Sequence, residues 1–404
     1  MNSLVDPELI KNAILELLRY CQKDNWAGYD PYDGLNSRVF SSIPFLQNKL
    51  GKLAFIQLMK RSPVNLRPLM LVPKSHNPKG LALFASALMK LHDVGLVANK
   101  DSALFPLEML IGHKDPKNPY YSWGYNFDWQ SRLGFVPKGL PNIICTTFSG
   151  NALLDAYEKY GGSHYLEMAG SAGSFLLEGL NISREGEEIC FSYTPLDRER
   201  VHNANLLGAA YLARLHRLTG EKRYQEHALS AARYSARKQN PDGSWFYGER
   251  ETQRWVDNFH TGYNLIALNN LRRYTGTDEF RSNISRGYEY YKKNFFTEEG
   301  IAKYYNNKIY PIDIHSISQS IVTLVDFREY DKNNILLALR VCRWALENMR
   351  STEGYFYYQK TRYLRNKIPY MRWSQGWMLY GLATLASVMF QNPGYREGRS
   401  NGDL

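Results

Sequence analysis

One pattern constrains this chain more than any other: a two-helix motif returning about every 56 residues from the middle of the sequence to its C-terminal part. Four copies start near Thr147 and at His202, His260 and His315. Each reads as an apolar helix rich in Ala or Leu, a short polar break, and a second, amphipathic helix. "LTGEKRY" and "YTGTDEF" are one corner used twice, with Gly220 and Gly276 placed to end the first helix. In three copies the second helix ends in a glycine turn followed by aromatics: "PDGSWFYGE" at Gly243, "EEGIAKYYNN" at Gly300 and "TEGYFYYQK" at Gly354.

A single helical hairpin leaves apolar faces uncovered, so such units stack on one another. The ends of the chain indicate how the stack finishes. Residues 371–390 read as an inner helix with no outer partner behind it, and residues 7–22 as an outer helix with no inner one before it. Together they complete one hairpin, which closes a ring. Segments 43–60 and 78–97 are expected to supply the remaining hairpin, making six. The expected architecture is an all-α, single-domain (α/α)6 toroid over residues 1–392, with short β-turn or hairpin elements in its loops and a flexible tail at 393–404. Open TPR or HEAT arrays repeat every 34–47 residues or so. The longer period here leaves room for one extra loop per unit.

In a ring of this kind the loops feeding the inner helices share one face. Those loops are unusual. "YYSWGYNFDWQSR" (120–132) carries six aromatic rings beside Asp128 and Arg132, and 26–38, 190–203, 243–260, 303–315 and 355–375 mix rings with charges and amides in the same way. Aromatic residues make up 14 % of the chain, and 30 of them are Tyr, which stacks and hydrogen-bonds at once. Loops of this kind meeting at one mouth make a ligand cleft, with Trp123, Tyr125 and Trp129 in one wall. Carbohydrate suits the chemistry: its C–H faces stack on rings, and its hydroxyls take paired bonds from carboxylates, amides and guanidinium groups. The expected substrate contacts are Tyr32, Asp33, Trp123, Tyr125, Arg132, His202, Asn203, Trp245, Arg254, Tyr304, Arg372, Trp373 and Gln375. Arg132, Arg200, Arg254 and Arg372 would also hold a uronate or phosphate group.

Proton-transfer groups stand at the heads of the inner helices. "DNFH" contains Asp257 and His260, "DIH" contains Asp313 and His315, and His202 heads a third helix. Imidazole titrates near neutrality and suits acid/base work, whereas Asp257 and Asp313 fit equally well as helix N-caps. Epimerisation or β-elimination at a uronate C5 needs an acid and a base on opposite faces of the sugar. His260 and His315, or a tyrosine such as Tyr247 or Tyr305, would be that pair, with Arg254 or Arg372 on the carboxylate. Hydrolysis instead needs two carboxylates about 5–10 Å apart, for which Asp128, Asp257 and Asp313 are the candidates. A zinc site from the three histidines would lack any HExxH-type pair, so no metal and no other cofactor is expected.

The formal charge of +11 favours an anionic partner, and an acidic glycan, nucleic acid and an anionic membrane surface all fit that sign. The Lys and Arg are scattered, without a basic arm or recognition motif, which speaks against nucleic acid. Cys21, Cys145, Cys190 and Cys342 lie far apart with no CxxC pair. The N-terminus lacks the pattern of a secretory signal and no apolar run is long enough to span a bilayer, so no membrane span and a cytoplasmic location are expected.

As a whole the chain resembles the α/α-toroid superfamily of six-hairpin glycosidases, polysaccharide lyases and sugar epimerases. "YDPYDGLNSR", "WGYNFDWQSR", "RWVDNFHTGYNL" and "YMRWSQGWMLYGLATL" resemble polysaccharide-biosynthesis proteins of the VpsJ type. The last is also similar to the C-terminal domain of D-glucuronyl C5-epimerases, whose additional β-rich region has no counterpart here. The resemblance implies an enzyme that makes or modifies a surface glycan, alongside other polysaccharide-biosynthesis proteins. "QNPDGSW" fits the Q-x-x-x-G-x-W motif of triterpene cyclases, but no DxDD acid motif accompanies it. Lanthionine cyclases bind zinc through Cys-Cys-His, and only Cys145 falls near an inner-helix start. The competing class is a non-catalytic glycan-binding or scaffold protein.

Overall fold

The computed structural model describes residues 6–132 and 134–390. The tail expected at 393–404 lies outside them. Fourteen α-helices follow in chain order: α1 (Pro7–Lys23), α2 (Arg38–Ser41), α3 (Lys49–Arg61), α4 (Pro78–Asp93), α5 (Lys100–Gly112), α6 (Ile143–Tyr160), α7 (Ser163–Ser174), α8 (His202–Thr219), α9 (Lys222–Arg237), α10 (Asn258–Thr275), α11 (Arg281–Phe295), α12 (Ile314–Asp326), α13 (Asn334–Asn348) and α14 (Trp377–Met389). The inner helices α4, α6, α8, α10, α12 and α14 each pack on the next, and α14 packs back on α4. Each carries an outer partner, and the partner of α14 is α1 from the other end of the chain. This is the all-α toroid.

The repeated corners work as their glycines require. Gly220 and Gly276 are left-handed at φ +75° and +72°, and their N–H groups return to His216 and Arg272. The second set of glycines does something further. Gly243, after α9, lies against the backbone of Arg286 in α11; Gly300, after α11, lies against Arg340 in α13. Gly354, after α13, lies against Glu16 in α1, so the same turn that spaces neighbouring units also joins the two ends. The Arg350–Glu16 ion pair secures that seam.

One hairpin differs from expectation. The outer partner of α4 is α5, not the helix within 43–60. Helix α5 has apolar residues all round and Pro106 inside it, so it lacks the amphipathic period that marks its counterparts. Helix α3 instead caps the mouth. Its Phe55, Ile56 and Met59 form a small separate core with Leu35, Phe40 and Val72. The strands are short: β1 (Trp129–Gln130) with β2 (Phe135–Val136), β3 (Ile182–Glu185) with β4 (Glu188–Phe191), and β5 (Ile312–Asp313), β6 (Gln359–Lys360) and β7 (Arg365–Asn366) in one antiparallel set.

Candidate functional site

The heads of α10 and α12 place two histidines beside one aromatic floor. Asp257 caps α10, accepting the His260 N–H at 3.0 Å. Its other oxygen bonds His260 Nδ1 at 2.7 Å and takes the Trp255 indole N–H at 2.9 Å. Asp313 caps α12 at the His315 N–H, 2.9 Å, and receives the Trp373 indole at 3.0 Å and Gln359 at 3.2 Å. Burial pushes the Asp313 carboxyl up to about 6 against those bonds. His315 lies between the faces of Phe259 and Trp377, 4.3 and 4.4 Å away, with the edge of Trp373 at 4.7 Å. Burial drives its pKa well below that of a free imidazole, so it is neutral. Tyr263 Oη stands 2.6 Å from His315 Nε2, while His315 Nδ1 is buried without a partner.

Lys79, in the first turn of α4, completes this floor. It is 3 % exposed, its ammonium lies 4.2 Å from the centre of Phe148, and it reaches Tyr263 Oη at 3.5 Å. Burial, and then Arg372, bring its pKa down to about 7. Among the described residues no carboxylate forms an ion pair with it.

Around the floor runs a chain of rings. Tyr125 stacks on Phe127 at 5.2 Å, Phe127 meets Tyr32 at 6.4 Å, and Tyr32 meets Trp373 at 5.7 Å. Tyr247 stacks on Trp255 and touches His260, both at 4.6 Å, and Tyr304 joins Phe259 and Tyr305. Trp129 and Tyr193 extend the wall at 6.4 Å. From the cap, Lys60 donates to the Tyr32 hydroxyl at 2.8 Å. The structure thus gathers Tyr32, Tyr125, Tyr247, Asp257, His260, Tyr304, Tyr305, Asp313, His315, Arg372 and Trp373 at the mouth.

Other expected residues stand elsewhere or are already engaged. Trp123 is buried and gives its indole N–H to the Leu110 carbonyl, bordering a side cavity of about 630 Å3. Trp245 is buried beneath the outer layer on the Ser235 carbonyl. His202 turns towards Ser235 of α9, away from the mouth, and burial lowers its pKa to about 4. The three histidines therefore do not converge, and among the described residues no His, Cys, Asp or Glu group forms a metal-binding cluster. Asn203 beside it is buried with its carbonyl oxygen unpartnered. Gln375 pins the backbone of Phe356 through both its amide atoms. Asp128 closes its own turn on the Lys138 N–H at 2.7 Å.

The arginines correct the expectation of a free cationic cluster. Arg372 forms a two-pronged pair with Asp30 at 2.6 and 2.9 Å, both side chains 3 % exposed. Burial works against the Arg372 charge and the Asp30 carboxylate outweighs it. Asp33 is bound by Arg67 at 2.6 Å, and Arg67 also holds the Asp30 carbonyl and the Tyr370 hydroxyl. These two pairs fasten loop 26–38 to the ring rather than face a ligand. Arg200 is tied to Glu185 and Glu249, while Arg132 and Arg254 are exposed on their loops.

A second opening lies at the far end of the ring axis. A lumen of about 410 Å3 runs between the C-terminal halves of the inner helices and ends at Tyr263 and Trp377. Its charges are largely neutralised, Arg214 by Asp155 and Glu158, and Asp326 by Arg273. Lys90, the remaining amine of this lumen, lies over the Tyr380 ring.

The geometry defines an α/α toroid whose mouth carries aromatic walls and a buried His–Tyr–Lys floor. Solved structures show the same fold. The unsaturated glucuronyl hydrolase of Bacillus sp. GL1 is similar over 94 % of this chain and 96 % of its own, at 12 % identity and a TM-score of 0.62. A heparin-specific unsaturated glucuronyl hydrolase matches over 95 % and 98 %, at 11 % identity and a TM-score of 0.61. The cellobiose 2-epimerase of Bacillus thermoamylovorans matches over 78 % and 88 %, at 13 % identity and a TM-score of 0.60. No protein-family model and no curated protein sequence matches the chain.

Proposed function

We propose that the chain is a carbohydrate-processing enzyme that moves protons at a sugar carbon, in the manner of an epimerase or lyase. The observation that carries this reading is the pair of histidines from adjacent inner helices. His260 is oriented by Asp257, and His315 is held neutral and bonded to Tyr263. A carboxylate that fixes Nδ1 leaves Nε2 of His260 as the working atom, and a neutral His315 accepts or relays a proton through the Tyr263 hydroxyl. Tyr247 and Tyr305 line the same mouth. Hydrolysis is less well supported, because Asp257 and Asp313 are both engaged as caps and indole acceptors.

An anionic, uronate-containing glycan of surface-polysaccharide biosynthesis fits this mouth through Lys60, whose charge Tyr32 and, at longer range, Asp313 favour against the cost of burial. Similarity of fold to epimerases and glucuronyl hydrolases supports a glycan ligand by analogy only. The test is incubation with uronate oligosaccharides and reducing disaccharides in deuterated water. Deuterium at the inverted carbon marks an epimerase, new ultraviolet absorbance a lyase, and new reducing ends alone a hydrolase. No change in any sugar would leave a binding protein.

A further inference from the structure

We infer that the rim around the mouth is a docking surface for an anionic lipid bilayer. The first observation is where apolar side chains are left in water. Phe45, Leu50 and Leu69 are 76, 77 and 75 % exposed, and Leu58, Val64 and Leu71 are each more than half exposed, all on the cap. Tyr363 and Leu364, at 82 and 59 %, crown the hairpin of β6 and β7. That hairpin abuts the cap, since Asn366 donates to the Ser62 carbonyl at 2.9 Å. Phe135 at the tip of β1–β2 sits under the Lys52 ammonium at 4.5 Å. Helix α3 thus buries one apolar face on the cap's small core and presents Leu50 and Leu58 on another.

The second observation is charge. Between Asp33 and Asp93 the sequence has no acidic residue and nine Lys or Arg, and none is acidic from 354 to 390. Lys49, Arg61, Arg362, Arg365 and Lys367 are exposed beside the apolar side chains. Among the described residues, none of these five or Lys52 forms an ion pair, whereas Arg223, Arg233, Arg237 and Arg343 on the outer helices each meet a glutamate. Exposed apolar groups interleaved with unpaired cations and free of carboxylates suit a headgroup layer with acyl chains beneath it. A protein partner would leave some of these cations for its own acids to meet one by one, whereas a lipid surface meets all of them at once. No helix among the described residues is long and apolar enough to cross a membrane, so the contact is peripheral. It would turn the mouth towards the bilayer.

The test is sedimentation of the full chain with vesicles of phosphatidylcholine alone or with about a third phosphatidylglycerol. The chain is expected to bind only the anionic vesicles, and less as salt rises. Replacing Lys49, Lys52 and Arg61 together by Gln should lower partitioning about a hundredfold, near fivefold per cation. Leu50→Ser with Leu58→Ser should weaken it by about tenfold per leucine. Leu336→Ser, an exposed change on outer helix α13, should leave it unaltered, and circular dichroism checks that each variant is folded. Failure to bind anionic vesicles, equal binding to both kinds, or indifference to the cap variants would overturn the inference. So would a chain that dimerises through the cap, or takes up a soluble acidic polysaccharide, while ignoring vesicles.

Discussion

Tyr263 Oη and His315 Nε2, 2.6 Å apart, join the second turn of α10 to the head of the neighbouring inner helix α12. Both residues are buried, and the hydroxyl also lies 3.5 Å from the Lys79 ammonium. A tyrosine–histidine bond in so dry a place ties structure to chemistry. Tyr263→Phe removes the oxygen and leaves a ring nitrogen unpaired, which should cost about 1–3 kcal/mol of stability by denaturant titration. Any proton-transfer rate measured in deuterated water should fall by about a hundredfold or more.

Lys79 gives a pH signature. Its pKa is near 7 in the folded chain and 10.5 ordinarily, so between these values the unfolded chain holds a proton that the folded one lacks. Stability should therefore rise with pH across that window, by at most about 1.4 kcal/mol per unit. Lys79→Met should remove this rise and be the more stable chain at pH 7. Asp313, raised to about 6, acts in the opposite sense between about pH 4 and 6. Urea titrations of both chains from pH 6.5 to about 9.5 measure the difference; parallel curves would remove the unpaired amine from the account.

Arg372 and Asp30 should behave as one unit. Arg372→Ala leaves a buried carboxylate unpaired and should cost about 3–5 kcal/mol. The double variant with Asp30→Ala should recover part of that loss. Binding of a uronate oligosaccharide and of its carboxyl-reduced form should weaken equally in Arg372→Ala, as followed by calorimetric titration, because Asp30 already occupies the guanidinium. A selective loss for the uronate would mean that the pair opens to admit a carboxylate.

The seam of the ring can be tested at a single glycine. Gly354 has φ +88°, and a Cβ there would meet the Cβ of Glu16 at 2.8 Å, whereas Gly220 at φ +75° faces open space. Gly354→Ala should cost more than Gly220→Ala, for which about 1 kcal/mol is expected. Equal losses in chemical unfolding would mean that strain at φ, not contact with α1, dominates both.

Much of this was legible in the sequence because repetition amplifies weak signals. The corners at Gly220 and Gly276 and the turns at Gly243, Gly300 and Gly354 each say little alone, but their common spacing specifies the ring. Helix α5 escaped because periodicity carries no information when apolar residues face every side. His260 and His315 could be placed at helix heads from spacing, but spacing does not say which way a side chain turns; His202, at an equivalent position, points to the outer layer. Tyr263 and Lys79 went unnoticed though signals existed. Tyr263 follows His260 by one helical turn, and Lys79 is a lone cation opening the apolar run "GLALFASALM". The partners that neutralise Arg372 and Asp33 lie 342 and 34 residues away and leave no local trace.

The central claim, proton transfer at a sugar carbon by His260 and His315, is tested most directly by following deuterium incorporation into substrate sugars by nuclear magnetic resonance. The measurement compares the native chain with His260→Asn and His315→Asn, each shown to be folded. Label is expected at a single carbon with the native chain, at rates lower by about a hundred- to ten-thousandfold in either variant. Label appearing at the same rate in both variants, or in no sugar with the native chain, would contradict it.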